Sequence, residues 1–402
     1  MTASVLGALG GIITTRYISP ELAGQFRLFT IPLMYLAILH IGTHDGLFRL
    51  VPFHRGRQEY EAIKEISEAA STWSKLVSLT ISLLFLVAAI HGLLVEDYFA
   101  FWGWVAQIPI TWALFYGGYL STMYRTNNEF GKLSAIQLVQ SILQFGLVFF
   151  LPKLQFVGLC AKAAVPSLIS VFLQHKHQRR ALTSTFNKSA LFRLSRAGMP
   201  FFTWNYISGP LWIATESVLI LKYFGVKELG YFTVALVVRE AMQTLPQSIQ
   251  QVIVPRVVEQ YARGGTDRSQ FLQLAQMSLI TAIVVMLLIL PAKLAIDSFI
   301  PIFSPMYVDA IPAITLSMFF ALPQAFLTPL NILFASGRHW SYGMSVLVGF
   351  AGFGIAILVL PVWLDGAIMI LTASLFGRIL SLLPVYWGIG NIPRKQKDDY
   401  GS

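Results

Sequence analysis

Seven ionisable side chains stand inside long apolar runs of this chain: Arg27, Arg49, Lys162, Glu216, Arg239, Glu240 and Arg378. A charge held in a bilayer is expensive, and it faces a bundle interior, a partner or water. Five cations against two acids suit an anionic ligand, because charge-assisted bonds from arginine hold phosphate oxygens well. Arg27 and Arg49 lie near the ends of their runs, where snorkelling to the interface accounts for them equally. Lys162, Arg239 and Arg378 sit deeper and are the main candidates for lining a cavity. Glu216 and Glu240 are the candidate charge partners or ion-coupling acids. Glu240 adjoins Arg239, but neighbours on a helix do not share a face, so its partner is expected on another helix.

Other chemistry is thinly represented. His40 and His44 have the i, i+4 spacing of a metal pair, yet no third ligand or HExxH-type acid accompanies them, so interface histidines and no metal are expected. His175 and His177 flank a basic segment and read as solvated. Trp102, Trp104, Trp112, Trp204 and Trp212 have faces suited to sugar rings, though most are expected in packing or at the interface. No GxxxxGK[ST] phosphate loop is present, so ATP is not the direct energy source and no cofactor is implied. The single cysteine, Cys160, excludes an internal disulfide.

The elements that must position these groups follow from composition. The chain has 402 residues, 55% hydrophobic and only 12% charged, against about 25% charged in soluble domains. Its apolar blocks reach the roughly 20 residues that a spanning helix needs, as in "LVSLTISLLFLVAAIHGLLV" (76–95). They do not alternate as barrel strands would. The reading is an all-α polytopic membrane protein with about twelve spans, near 1–15, 26–50, 76–95, 99–123, 133–151, 155–174, 198–222, 229–254, 270–296, 308–335, 341–362 and 366–389. The first is short, so it either enters obliquely or continues from a missing N-terminus. Prolines within the spans (Pro32, Pro109, Pro166, Pro210, Pro246, Pro291 and Pro323) are expected to kink them.

The net charge of +10 reflects cytoplasmic loops rather than nucleic-acid binding. With both termini cytoplasmic, the inner connections carry about twenty Lys and Arg against five outside. The longest polar break, 175–197, then joins an N-terminal six-helix bundle (1–174) to a C-terminal one (198–390), followed by a cytoplasmic tail (391–402). A second polar stretch, 54–75, reads as an amphipathic surface helix.

Two short segments repeat. "RYISPELAGQF" (16–26) and "KYFGVKELGYF" (222–232) match at Tyr17 and Tyr223, Gly24 and Gly230, and Phe26 and Phe232. Each joins the first two spans of its half, as a parallel repeat requires, and transporters are often built from repeats. Gly or Pro in these turns is expected to permit the reversal.

Those hairpins, with "DGLFRLVPFHRGR" (45–57) and "LPQSIQQVIVPRV" (245–257), resemble the Wzx-type polysaccharide flippases of the multidrug/oligosaccharidyl-lipid/polysaccharide exporter superfamily. The resemblance covers nearly the whole chain as the order and spacing of spans. It implies two six-helix bundles facing each other in a V, with alternating access. It also implies a cargo of undecaprenyl-pyrophosphate-linked oligosaccharide moved across the inner membrane for O-antigen, capsule or exopolysaccharide synthesis. Two departures stand out: the short first span, and Glu216 where many relatives carry Asp, which leaves a role in coupling to H+ or Na+ open. The alternative is a multidrug/cation antiporter of the same fold, but cation exporters favour acidic cavities. A membrane-embedded glycosyl enzyme would usually carry a large outer loop, and every outer loop here is short.

Overall fold

A computed structural model describes residues 2–177, 187–264, 268–327, 339–360, 364 and 366–390. Among these the chain is helical and forms no strand, as expected where every backbone polar group must be satisfied within its own segment. It divides into two compact units, Met1–Thr215 and Glu216–Ser402. Seven helical stretches are long and apolar enough to cross a bilayer. Shorter helices supply the other elements of a multi-span membrane fold of about twelve helices.

The first unit begins with α1 (Thr2–Tyr17) and α2 (Pro20–Leu36), followed by α3 (Thr43–Gly56) and α4 (Tyr60–Leu94). Then come α5 (Tyr98–Trp112), α6 (Gly118–Thr126), α7 (Phe130–Leu147), α8 (Leu151–His177) and α9 (Lys188–Tyr206). The span expected at 26–50 is broken: Ile41 and Gly42 adopt left-handed conformations between α2 and α3. The surface helix expected at 54–75 is not separate. Residues from Tyr60 onward run without interruption into the apolar stretch as the single helix α4. Its Ala69, Ala70, Val77, Ile81 and Phe85 face the core, while Leu79, Leu83, Leu84, Val87 and Leu94 are exposed. Such a continuous apolar face would be a liability in water and is what lipid requires.

A π-helical turn, Ala113–Gly117, joins α5 to α6, and a second, Ile207–Leu211, follows α9. The first begins one turn after Pro109 and the second contains Pro210, so the expected kinks take the form of local widening. α9 packs on the start of α3, where Gly198 lies so close that a Cβ there would overlap the Gly42 carbonyl oxygen and the Gly46 nitrogen. Glycine permits that approach of two backbones. The described parts of the expected linker are helical at both ends, in α8 and α9, and 178–186 lie outside the described residues.

The second unit holds most of α10 (Trp212–Gly264), then α11 (Arg268–Phe303), α12 (Ile311–Met318), α13 (Ala321–Phe326), α14 (His339–Val359), α15 (Gly366–Leu380) and α16 (Leu382–Gly390). Its core joins Val285, Ile289, Met318 and Ala321 to Val238, Met242 and Leu245 of α10. The C-terminal part of the span expected at 308–335 and the tail 391–402 lie outside the described residues.

The repeated segments reverse the chain at matching positions by different means. In the first, Ser19 caps α2, its hydroxyl accepting from the Leu22 N–H at 3.4 Å, with Pro20 opening the helix. In the second, α10 breaks at Gly225, at φ +87°. Ser19 and Gly225 stand in the same register as Tyr17 and Tyr223. Pro20 and Gly225 are thus the Gly or Pro expected in the turns, while the matching Gly24 and Gly230 lie inside helices and are buried.

Candidate functional site

The break at Gly225 turns α10 into a hairpin, and the hairpin creates an ion pair. Arg239 Nη1 lies 3.1 Å from Glu216 Oε2 and 3.2 Å from Oε1. Glu216 is 0% exposed and Arg239 3%. The same carboxylate accepts a hydrogen bond from the Ser374 hydroxyl on α15, and the Arg239 guanidinium lies 4.7 Å from the centre of the Phe320 ring. A buried acid thus has three polar contacts, and a buried cation has both a carboxylate and a π face. That is the compensation such groups require in low dielectric.

Arg378 completes the cluster. It follows Ser374 by one helical turn on α15, and it lies in the fields of Glu216, Arg239 and Tyr342, attracted by the first and repelled by the second. Arg239 bonds the carboxylate; with Arg378 in electrostatic reach, the group counts two guanidiniums and one carboxylate. The sequence singled out Glu216, Arg239 and Arg378 separately, and the second unit brings them together. It did not single out Ser374 or Phe320. The i, i+4 spacing of Ser374 and Arg378 was the available signal for the serine; nothing in the sequence pointed to Phe320.

The remaining candidates are elsewhere. Lys162, on α8 in the first unit, places Nζ 2.5 Å from Thr14 Oγ1 and 3.3 Å from the Gly10 carbonyl oxygen. Both oxygens come from α1, so the lysine ties α8 to α1 through neutral acceptors. An Arg27 nitrogen lies 3.6 Å from the Met34 sulfur. Arg49 is exposed on α3, 5.9 Å from the Phe201 ring centre. Glu240 is exposed and turned away from the cluster, as the helical geometry required.

His40 and His44 flank the α2–α3 break with ring centres 4.2 Å apart, and His40 lies 4.5 Å from Phe115. Among the described residues no group of three His, Cys, Asp or Glu is placed to hold a metal. His175 differs from expectation: its Nδ1 is 2.7 Å from the Tyr116 hydroxyl, across from the π-helical turn, so it is engaged rather than solvated. Of the tryptophans, Trp104 stacks on Phe85 at 5.3 Å and Trp212 is fully buried, both in packing roles.

No family model matches the chain, and no curated protein matches it in sequence. Solved structures do. An inward-facing multidrug resistance MATE family transporter of the MOP superfamily matches with TM-score 0.72 at 15% identity, over 97% of this chain and 94% of its own. Lipid II flippase MurJ, in an inward closed conformation, matches with TM-score 0.76 at 13% identity, over 97% of this chain and 86% of its own. A MOP superfamily transporter from Pyrococcus furiosus, described as having a binding pocket of reverse polarity, matches with TM-score 0.61 at 13% identity, over 96% and 95%. The chain has the MOP-transporter fold. Both multidrug transporters and a lipid flippase share that fold, so the fold does not choose between their cargoes.

Proposed function

We propose that this chain is a flippase that moves a lipid-pyrophosphate-linked oligosaccharide across the inner membrane by alternating access between two six-helix bundles. The observation that carries the reading is the sign of the buried cluster: Arg239 bonds the single carboxylate of Glu216, and Arg378 lies in electrostatic reach of both. A positive group inside a bilayer-spanning unit favours an anionic cargo and opposes a cationic drug. Within the cluster Arg239 is engaged by Glu216 and Phe320 and holds the site together, and Arg378 adds the second guanidinium that gives the group its positive sign. Lys162 and the more peripheral Arg27 and Arg49 contribute positive field. Glu216 is the acid through which H+ or Na+ would couple. The shared fold with MATE transporters supports the second reading, a multidrug/cation antiporter, which the sign of the cluster disfavours.

Proteoliposomes loaded with a fluorescent undecaprenyl-pyrophosphate oligosaccharide test the proposal. The wild type is expected to move the lipid between leaflets, Arg378→Gln to slow it at least tenfold, and Arg378→Lys to restore part of the rate by keeping charge without the bidentate fork. Movement of tetraphenylphosphonium in place of the lipid would establish the antiporter reading instead.

A further inference from the structure

The second unit carries a cleft that the cationic cluster does not use. It encloses about 530 Å³ and is lined by Tyr223, Phe224, Glu228, Tyr231, Asp309 and Gly366, among others. Three chain breaks build it: the Gly225 reversal, the turn of Pro305–Ala310 that precedes α12, and the start of α15. Gly366 opens α15 at φ +65°.

The polar groups here have partners of different kinds. The Tyr231 hydroxyl donates to Asp309 Oδ2 at 3.2 Å, and Lys227 Nζ lies 4.0 Å from the same oxygen. Glu228 Oε2 accepts from the Ala367 N–H at 3.0 Å, so it caps α15. Lys222 and Lys227 sit 5.5 Å over the Tyr223 and Tyr231 rings. Asp309 is matched by the Lys227 ammonium and Glu228 by a backbone N–H, so each carboxylate in the lining already has a donor. What remains is lone-pair capacity on two carboxylates, each with about four acceptor positions, beside aromatic faces, one of which (Tyr223) is 58% exposed.

Carboxylate acceptors that already hold a donor, next to an exposed aromatic ring, match a ligand with hydroxyl donors on one edge and an apolar ring face on the other. We propose that this cleft is a binding subsite for a neutral polyhydroxylated ring, that is, a sugar unit. Its volume falls within the range of small-molecule sites, about 300–1,000 Å³. In the orientation inferred from loop charge it opens outside, where a flipped cargo would present its sugars. That link to transport rests on the proposed function; the binding does not.

Saturation-transfer NMR on the full chain in lipid nanodiscs, free of glycosidic detergent, tests the subsite with chitotriose, maltotriose and tetraphenylphosphonium as probes. At least one trisaccharide is expected to bind the wild type, with affinity at least fivefold weaker in Tyr223→Ala and in Asp309→Ala. Gly209→Ala, which lies outside the cleft and outside the cationic cluster, is expected to bind as the wild type does. Tyr223 is largely exposed, so its truncation leaves the fold in place, and the melting temperature of each variant checks this. Absence of any trisaccharide signal, a signal unchanged in both cleft variants, or preferential binding of tetraphenylphosphonium there would overturn the proposal. If the lipid fails to flip while the trisaccharide still binds through Tyr223 and Asp309, the transport reading fails and the subsite stands. If the lipid flips but trisaccharide binding ignores these residues, only the subsite fails.

Discussion

Glu216 and Arg239 are 23 residues apart in sequence, and their side chains meet at 3.1 Å. On one straight helix that separation would be about 35 Å, so the contact exists because α10 folds back at Gly225. Measured from the break, Glu216 lies about 14 Å along its arm and Arg239 about 21 Å along the other. Side chains lean toward the N-terminus of their own helix. Glu216 therefore leans away from the turn and Arg239 toward it, which closes the difference. The pair is a product of the hairpin and also a clamp on it.

Removing one member of such a pair strands the other in low dielectric. Arg239→Ala is expected to destabilise the protein by about 3–5 kcal/mol, with the double change Arg239→Met, Glu216→Leu much milder. Thermal melting of the single and the double variant in nanodiscs checks this. A single variant as stable as the wild type would mean that Glu216 is satisfied without Arg239.

The reversal at Gly225 depends on a backbone conformation and not on space. A Cβ there meets nothing within 4 Å, yet φ is +87°. Gly225→Ala is expected to cost about 1–3 kcal/mol through strain alone, whereas Ser19→Gly, at the matching turn where φ is −70°, should cost only a few tenths of a kcal/mol, as usual for a cap replaced by glycine. Paired melting curves separate the two. Equal losses would contradict the different turn chemistry of the two hairpins.

Gly198 makes the opposite case. A Cβ there would run into backbone atoms of Gly42 and Gly46, which have no rotamer to yield. Gly198→Ala is expected to lower the melting temperature and the yield of monodisperse protein. Gly209→Ala, with nothing within 4 Å of its Cβ, is expected to leave both near wild type. Fluorescence-detected size-exclusion melting reports both quantities.

These sites show what the sequence made legible. Long apolar runs announced the helices, because burial in lipid demands them, and charges inside the runs announced Glu216, Arg239 and Arg378, because they are too expensive to be accidental. The breaks were harder. Ile41 and Gly42 interrupt a stretch read as one span although "GTHDG" (42–46) is polar, and α4 joins a polar and an apolar stretch in one helix, since the helical hydrogen bonds do not change where the solvent does. A Gly or Pro was expected in each turn, and Pro20 and Gly225 take those places, while the matching Gly24 and Gly230 lie within helices. Which charges would meet depended on folding at Gly225 and on α15 coming alongside, and neither is local in sequence.

Lys162 reads differently in structure from its place in the sequence. Its ammonium is held by Thr14 and Gly10 of α1, and the Thr14 hydroxyl itself donates to the Gly10 carbonyl at 2.6 Å. Lys162→Met and Thr14→Val should each destabilise the first unit, and together by less than their sum, since they remove one shared interaction. A double-mutant cycle on melting measures this. Strict additivity would mean that the lysine and threonine act apart.

The orientation assigned to both units rests on loop charge and has a direct chemical test. About twenty Lys and Arg fall on one side against five on the other, and such an excess is retained in the cytoplasm. Lys188 opens α9 and is exposed; Lys227, beside Asp309, is exposed as well, and loop charge predicts opposite sides for the two. Cys160 is buried, and replacing it with serine gives a background without thiols. In that background a cysteine at position 227 should react with an impermeant maleimide in intact cells whose outer barrier is permeabilised. A cysteine at position 188 should react only after the inner membrane is opened. Reversal of that pattern would turn the molecule over and would face the cleft of Tyr223 and Asp309 toward the cytoplasm. The flippase direction would then have to be reconsidered along with it.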